Sequence, residues 1–227
     1  MKNENEKMKK TSTLLLVLFT VYSFGQVKDS TSTEKVSVEF YLGFGVQIQD
    51  DLNINKKLRE SNLPEVQNTI PEFNVGIDFM GKKYSGVAEF GFLYSETDKN
   101  DYTNKSTGFT GRLKLHYNLV NKNKIAFTTG LNIASTNNVL DIYSKSNTID
   151  LNNLNPNNNS HLNIKNQMFY VGPSISLYLF RKSFPIKINA GYEIAFTRGK
   201  WKSDFGSVIN TVKEINNNRF IFGVTLL

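Results

Sequence analysis

Apolar and polar residues alternate along eight stretches of this chain, and none of the apolar-face positions carries a charge. The first stretch is the clearest: every second residue from Val36 to Ile48 is apolar, and the residues between them are polar, glycine or tyrosine. Side chains two positions apart lie on the same face of a β-strand. Each stretch therefore predicts a strand with one apolar face.

The other seven stretches continue this alternation to the end of the chain. Their apolar positions are, in chain order, Phe73, Val75, Ile77 and Phe79; Tyr84, Ala88, Phe90, Phe92 and Tyr94; Phe109, Leu113, Leu115, Tyr117 and Leu119; Phe127, Leu131 and Ile133; Phe169, Val171, Ile175, Leu177 and Leu179; Ile186, Ile188, Ala190, Tyr192, Ile194 and Phe196; and Phe220, Phe222, Val224 and Leu226. Long links at 50–70, 97–105, 136–166 and 198–218 alternate with short turns, a pattern typical of outer-membrane barrels.

Glycines on the polar face indicate which side of such a barrel is crowded. Glycine weakens a strand that faces water, but it fits where side chains fill a narrow interior. The glycines on this face are Gly43, Gly45, Gly76, Gly91, Gly130, Gly172, Gly191 and Gly223. We therefore predict an all-β fold, an eight-stranded antiparallel up-and-down transmembrane β-barrel with its apolar face toward lipid. The alternative is a secreted, lipocalin-like barrel whose apolar face lines a ligand pocket.

The interior of the predicted barrel collects ionisable side chains of both signs. The predicted lumen charge network consists of Glu39, Glu72, Asp78, Glu89, Arg112, Lys114, His116, Lys187, Glu193 and Arg219. If the third and fourth strands form a hairpin, Glu89 lies close to Arg112. A buried charge left without a partner costs about 3–5 kcal/mol, so we expect ion pairs. Eight strands enclose room for side chains only, which predicts a plugged lumen.

Aromatic residues fall near the predicted strand ends, where interface girdles occur in membrane barrels. These residues are Tyr84, Tyr94, Tyr117, Phe180, Phe184, Phe196, Trp201 and Phe220. Because aromatics also favour strands in general, they support the membrane interpretation without deciding it.

The N-terminal segment has the features of a secretory signal peptide. Lysines precede an apolar run from Leu14 to Val21, which is followed by Ser23-Phe24-Gly25. The run is too short for a transmembrane helix, which needs about 20 residues. We expect a signal peptide at 1–25, a short periplasmic lead at 26–35 and one outer-membrane barrel domain at 36–227.

The net charge of +7 does not indicate nucleic-acid binding once its positions are considered. Six of the positive charges lie in three short turns, at Lys82, Lys83, Lys122, Lys124, Arg181 and Lys182. Cations at strand junctions on one end of a barrel fit contact with anionic lipid headgroups better than a nucleic-acid groove. The absence of cysteine excludes disulfides, thiolate metal sites and a lipoprotein anchor.

Candidate chemistry is sparse, and we predict neither a catalytic residue, a cofactor nor a metal site. His116 would need a serine within hydrogen-bond reach to act as a general base. Ser160-His161 lies in a link rich in asparagine, which we expect to be mobile. The pairs Asp50-Asp51 and Asp98/Asp101 could hold calcium, but solvated loop carboxylates are the more common case.

This chain resembles outer-membrane β-barrel domain proteins of Bacteroidetes, including PorT-like proteins. The shared features are the signal ending at Gly25-Gln26, the eight alternating strands and the strand at the C-terminus. The architecture is also similar to OmpA and OmpX barrels. The resemblance implies folding by the barrel-assembly machinery and a role in the cell envelope or protein export. Two features depart from it: the chain ends in leucine, and Pro173 interrupts the sixth strand, which predicts a bulge or local break.

Together these features predict a non-enzymatic protein of the Gram-negative outer membrane. Its partners would be outer-membrane lipids, the assembly machinery and an envelope or surface protein bound by the long loops. The apolar loop patches 52–54 and 208–209 are candidate contacts with a partner or with other loops. An outer-membrane lipid-modifying enzyme that depends on His116 or His161 remains an alternative.

Overall fold

The computed structural model describes residues 36–146, 161–181, 184–209 and 212–227. Within these ranges the chain forms ten strands and one helix. In chain order they are β1 (Ser37–Gln49), α1 (Asn53–Glu60), β2 (Thr69–Met80), β3 (Tyr84–Lys99), β4 (Tyr102–Asn121), β5 (Ile125–Ser144), β6 (His161–Leu179), β7 (Ile186–Ala195), β8 (Gly199–Lys200), β9 (Lys213–Glu214) and β10 (Arg219–Leu226). The predicted signal peptide lies outside the described residues.

Eight of these strands close into an antiparallel up-and-down barrel, as the alternation predicts. Their order around the barrel is β1-β10-β7-β6-β5-β4-β3-β2, and β1 closes the ring against β10 with Gln47 opposite Ile221. The remaining strands, β8 and β9, pair with each other in a separate two-stranded sheet. The predicted fold is confirmed.

The apolar face of the barrel strands points outward and the polar face points inward. Phe40 and Leu115 are 77% and 67% exposed, whereas Glu89 and Arg112 are both 2% exposed. This orientation is the reverse of a lipocalin-like barrel, so that alternative is wrong.

The two ends of the barrel differ in their connections. At one end the strands are joined by the short links at 81–83, 122–124 and 180–185, as predicted. At the other end, strand replaces most of one expected long link and part of another. Residues 97–105 belong mostly to a β3–β4 hairpin with Lys99 opposite Tyr102, and β5 and β6 extend far into the segment 136–166.

The barrel wall is consequently uneven in height. Strands β3 to β6 are 16, 20, 20 and 19 residues long, while β1, β2, β7 and β10 have 13, 12, 10 and 8. Pairing of β2 with β3 stops at Glu72 opposite Leu93, so the tops of β3–β6 project beyond the ring. We call this projection the tall wall.

The polarity of the inner and outer faces changes along the tall wall. On β5, the outward residues are apolar at Leu131 and Ile133, but further along the strand polar residues such as Asn137 and Asp141 interrupt the apolar series. The inward residues change in the opposite sense, from Asn132 to Leu140 and Ile142, all of which are buried. The projecting part therefore has the polarity of a soluble protein, with its apolar side inside.

An apolar cap packs against the inner side of the tall wall. Its buried members are Leu52, Leu58, Val66, Ile70, Leu93, Leu140, Ile142, Ile164 and Trp201. They come from the α1 region, from β2, from the strands of the wall and from the link before β10. The α1 region and the patch 52–54 were expected to be loop, but Leu52 is buried in this cap, so that patch contacts other parts of the same chain.

Two further predictions on the strands can be compared with the structure. Pro173 lies within β6, where pairing with β7 is interrupted between Val171–Ile194 and Ser174–Gly191 without a change of register, which is a local break. Trp201 was expected in an interface girdle, but it is 2% exposed inside the cap. Most of the asparagine-rich segment lies outside the described residues, although Asn163 belongs to β6.

Candidate functional site

Arg112 on β4 is the centre of the buried charge network in the barrel. Its Nε lies 2.7 Å from Glu193 Oε1 on β7, and its Nη1 contacts Glu89 on β3 and, at 3.4 Å, Glu72 Oε1 on β2. Arg219 on β10 binds the second oxygen of Glu193, with Nε 2.5 Å from Oε2. One guanidinium thus joins three strands across the lumen.

A second cation and a tyrosine complete the environment of Glu89. Lys114 Nζ lies 3.0 Å from Glu89 Oε2, and the hydroxyl of Tyr41 donates a hydrogen bond of 2.5 Å to the same oxygen. Glu89 is directly opposite Arg112 in the β3–β4 register. The carboxylate therefore has donors for both of its oxygens, which a buried charge requires.

The lower part of the lumen, toward the short turns, contains another ion pair. Lys187 on β7 contacts Asp78 on β2, and the hydroxyl of Tyr178 donates to Asp78 Oδ2 at 2.9 Å. The ammonium of Lys187 also lies 4.3 Å from the ring centroid of Tyr41, which adds a cation–π contact. Below this pair, Met80, Ala126 and Tyr178 form a small apolar cluster.

Two glycines show how tightly the lumen is packed. A Cβ added to Gly91 would lie 2.0 Å from Glu72 Oε1, and one added to Gly76 would lie 2.7 Å from the ring of Tyr41. Any larger residue at these positions would displace a member of the network. These two glycines thus create space for charged and aromatic side chains.

The structure brings together nine of the ten side chains predicted for the lumen. Four acids and four bases are each 3% exposed or less, and His116 is 4% exposed. They are Glu72, Asp78, Glu89 and Glu193, with Arg112, Lys114, Lys187 and Arg219. Glu39 is the exception: it is opposite Asp78 in the β1–β2 register, but it is exposed because β1 begins only two residues earlier, at the mouth of the barrel.

His116 does have a serine within reach, but both residues are enclosed. Its Nε2 lies 2.7 Å from Ser174 Oγ, and its Nδ1 lies 2.8 Å from Thr128 Oγ1. Ser174 and His116 are 3% and 4% exposed. Both ring nitrogens are thus held by hydroxyls, and the arrangement has the geometry of an internal structural hydrogen-bond bridge between β4, β5 and β6.

The other predicted polar candidates engage local partners. His161 begins β6, so it lies in a strand and not in a loop, and it contacts Asp141. Asp51 pairs with Arg59 at 3.0 Å, and Asp98 pairs with Lys145 at 2.8 Å. In the described parts of the chain, no group of three or more acidic or histidine side chains could hold a metal ion.

A buried carboxylate, Glu214 on β9, organises the cap, and the sequence interpretation missed it. The backbone N–H groups of Asn53 and Ile54 donate to its Oε2 and Oε1 at 2.7 and 3.0 Å, and Trp201 Nε1 donates to Oε1 at 3.0 Å. Since Leu52 provides no side-chain cap, Glu214 accepts the bonds that the first turn of α1 would otherwise lack. Burial raises the pKa of the Glu214 carboxyl above its ordinary value.

The cap leaves little empty space above the network. The cavity beneath it, lined by Leu52, Ile70, Leu93 and Leu140 among others, has a volume of about 10 Å³. That is the space of about one water molecule. An open groove on the outside, beside Asn55 and Arg59, has a volume of about 570 Å³.

Comparison with known proteins gives matches in structure but not in sequence. No family model matches the chain, and neither does any curated protein. The Bacteroidetes and PorT-like resemblance therefore stays a prediction.

Three solved structures are similar over most of their length. The attachment invasion locus protein Ail of Yersinia pestis matches with 7% identity and a TM-score of 0.46, over 86% of this chain and 99% of Ail. Neisserial surface protein A matches with 11% identity and a TM-score of 0.39, over 84% and 98%. The N-terminal β-barrel domain of Pseudomonas aeruginosa OprF matches with 8% identity and a TM-score of 0.33, over 84% and 98%.

Proposed function

We propose that this protein resides in the bacterial outer membrane as a closed, non-enzymatic barrel that presents its outer end to a partner. One observation carries the proposal: the outward residues of the eight barrel strands, such as Phe40, Phe90 and Leu115, form an exposed apolar belt, while four acids and four bases are buried inside the barrel. Water-soluble proteins rarely expose large continuous apolar surfaces. A hydrocarbon environment makes the same belt favourable.

The belt also has a boundary, which supports a particular orientation. On the tall wall, outward apolar residues such as Phe92 and Ile133 give way to Glu96 and Asn137 further along the same strands. We infer that the bilayer ends near this level and that the cap and tall wall stand outside the membrane. The short turns then face the periplasm.

A closed lumen is the second part of the proposal. The salt bridges centred on Arg112 cross the interior from β2 to β7, and the cap covers the outer end. Such an interior favours a structural role for the network over passage of solutes. Within the described residues no helix could span a bilayer, so insertion would depend on the strands.

A non-enzymatic role is supported by the enclosure of the Ser174–His116 pair. A lipid-modifying enzyme needs its nucleophile where an acyl chain or headgroup can reach it, and both residues face the packed interior. We expect His116→Ala and His161→Ala to leave lipid A and phospholipid composition unchanged. Loss of a modified lipid in either variant would instead support an enzyme.

The outer end offers surfaces for a protein partner. Ile209 is 89% exposed, and Val208 and Phe205 in the same segment are also exposed. These apolar residues lie beyond the belt on the link that supplies the cap. We propose that they contact an envelope or surface protein, in keeping with a supporting role in the envelope or in export.

Cell fractionation followed by gel electrophoresis of unheated and boiled samples tests this proposal. We expect the protein in the outer-membrane fraction, with faster migration before boiling because the folded barrel resists detergent. Recovery as a soluble protein without detergent would contradict it. Conductance of small ions through the purified barrel would contradict the closed lumen alone.

A further inference from the structure

The three short turns at the periplasmic end form one basic surface, which we call the basic platform. It consists of Lys82, Lys83, Lys122, Lys124 and Arg181, and the four lysines are exposed. The three turns contain no acidic residue. Lys182 belongs to the same turn as Arg181 but lies outside the described residues.

Hydrogen bonds between the turns hold the basic platform together. Arg181 Nη1 donates to Asn121 Oδ1 at 2.7 Å and to the carbonyl oxygen of Lys122 at 2.9 Å. Asn121 Nδ2 in turn donates to the carbonyl oxygens of Gly81 and Lys82, at 2.9 and 3.1 Å. Asn121 therefore connects all three turns, and the cations occupy a shared, preorganised surface.

Aromatic side chains surround the platform at the level where the belt ends. Tyr84 and Tyr117 pack edge to face with centroids 5.6 Å apart, and both are exposed. Phe180 and Phe184 flank Arg181 and are each 60% exposed. Rings at this position beside cations are typical of a membrane–water interface.

At the opposite end of the molecule, acidic side chains lie close to the cations. There Lys57, Arg59, Lys145 and Lys165 each pair with a carboxylate of the same chain. At the platform end, the exposed acid of the described strands is Glu39, at the start of β1. Among the exposed side chains of the described turns and strand starts at this end, cations outnumber acids, which favours binding of an anion.

We propose that the basic platform binds the phosphate groups of anionic phospholipids in the periplasmic leaflet. This inference rests on the proposed residence in the outer membrane. The cations lie where the strands leave the apolar belt, so a phosphodiester in the adjoining leaflet is at the same depth. Each lysine near an anionic surface contributes about a fivefold gain in binding, which salt weakens.

Lipid retention by the full-length protein tests the proposal. The protein is folded into bilayers of phosphatidylcholine mixed with phosphatidylglycerol, extracted gently, and examined by native mass spectrometry for bound lipid. We expect phosphatidylglycerol to be enriched over its bulk share. The triple variant Lys83→Gln/Lys122→Gln/Lys124→Gln should lose this enrichment, whereas Lys56→Gln/Lys99→Gln/Lys200→Gln, matched in charge at the other end, should retain it.

A further variant separates geometry from charge. Asn121→Ala keeps every cation but removes the bonds that connect the turns, and we expect a twofold or larger loss of enrichment. Unchanged enrichment in the triple variant, or equal loss in the matched control, would overturn the proposal. If the platform instead bound a soluble acidic peptide and showed no enrichment of phosphatidylglycerol, the lipid proposal would be overturned. The ligand would then be a periplasmic protein.

Fractionation of cells that express the same protein distinguishes this failure from failure of the proposed function. A barrel that migrates faster before boiling and fractionates with the outer membrane, yet shows no lipid preference, would contradict only the platform. Protein that fails to fractionate with the outer membrane would contradict both.

Discussion

The barrel interior contains two cores of opposite chemistry, one above the other. Within the apolar belt the core is ionic, built around Arg112 and Glu193, whereas inside the tall wall it is apolar, built around Leu140 and Trp201. The strands are continuous through both regions, so the difference is not one of secondary structure. The difference between the two cores follows the polarity of the outer face of the strands. Where the outer face is apolar the interior is polar, and where the outer face is polar the interior is apolar.

The comparison teaches that burial has a different driving force in each region. The cap removes apolar area from water, as in any soluble protein. In the belt, burial of side chains inside the barrel gains little from the hydrophobic effect if lipid surrounds the outside. There the specificity must come from ion pairs and hydrogen bonds, which give each buried charge a partner but leave Arg112 Nη2 and Arg219 Nη2 without a hydrogen bond among the described residues.

Breaking the ionic core should have the largest effect. Arg112→Met leaves Glu72 without its cation and gives the lumen a surplus of negative charge, so we expect a loss of about 3–5 kcal/mol in folding free energy. The measurement is denaturant unfolding in lipid vesicles, followed by the heat-dependent gel shift.

A matched double variant sharpens this prediction. Glu72→Gln/Arg112→Met restores charge balance and should recover part of the stability. Equal stability of wild type and Arg112→Met would show that the network does not hold the barrel together. Arg59→Gln, at an exposed ion pair that solvent screens, should leave the folding free energy nearly unchanged.

Breaking the apolar core should affect the cap and leave the barrel intact. Leu58→Ala on α1 removes a buried side chain, which costs about 2–5 kcal/mol of local stability. The sequence has one tryptophan, so emission from Trp201 reports on the cap. We expect a red shift and faster proteolysis at 50–68, with unchanged gel mobility before boiling.

Its control lies on the exposed side of the same helix. Lys56→Ala should change neither the emission nor the proteolysis. If Leu58→Ala also abolished the faster-migrating form, the two cores would be one cooperative unit and the comparison would be wrong.

The boundary between the regions can be tested on the outer face. Leu115→Arg places a cation in the middle of the belt and should cost about 2–4 kcal/mol in bilayers. Asn137→Arg, beyond the belt on the tall wall, should cost about 0–1 kcal/mol, as surface substitutions do. Measured folding free energies in vesicles distinguish the two, and equal costs would contradict a bilayer edge between Ile133 and Asn137.

The change in polarity of the two strand faces also explains which parts of the fold the sequence predicted and which it did not. Outward apolar residues identified all eight barrel strands and their faces, because the two-residue period continues on both sides of its interruptions at Gly86, Gly111, Thr129 and Pro173. Strand β5 was expected to end near Thr136 because Ser135 and Asn137 break the outward apolar series. In fact the strand continues to Ser144, with apolar Leu140 and Ile142 on its inner face.

The charge network was predictable for the same reason, and the cap was not. Inward positions follow from strand periodicity, so Glu89 opposite Arg112 could be expected from hairpin geometry alone. Glu214, by contrast, meets Asn53 across 161 residues of sequence. Neither short β9 nor the eight-residue α1 has a periodic signal strong enough to predict that contact.

Protonation of Glu214 should give the smallest effect, and one confined to the cap. Because burial raises the pKa of this carboxyl above its ordinary value of 4.5, the folded cap holds the proton more tightly than the unfolded segment does. The stabilisation is therefore complete below pH 4.5 and declines as the pH rises through the raised pKa. Trp201 emission should shift to the red over that interval, while the gel mobility of the unheated barrel stays constant.

Glu214→Gln removes the titrating group, and its profile of Trp201 emission against pH should be flat. Glu60→Gln, at an exposed end of α1, should reproduce the wild-type profile, and a persistent shift in Glu214→Gln would assign the titration to another group.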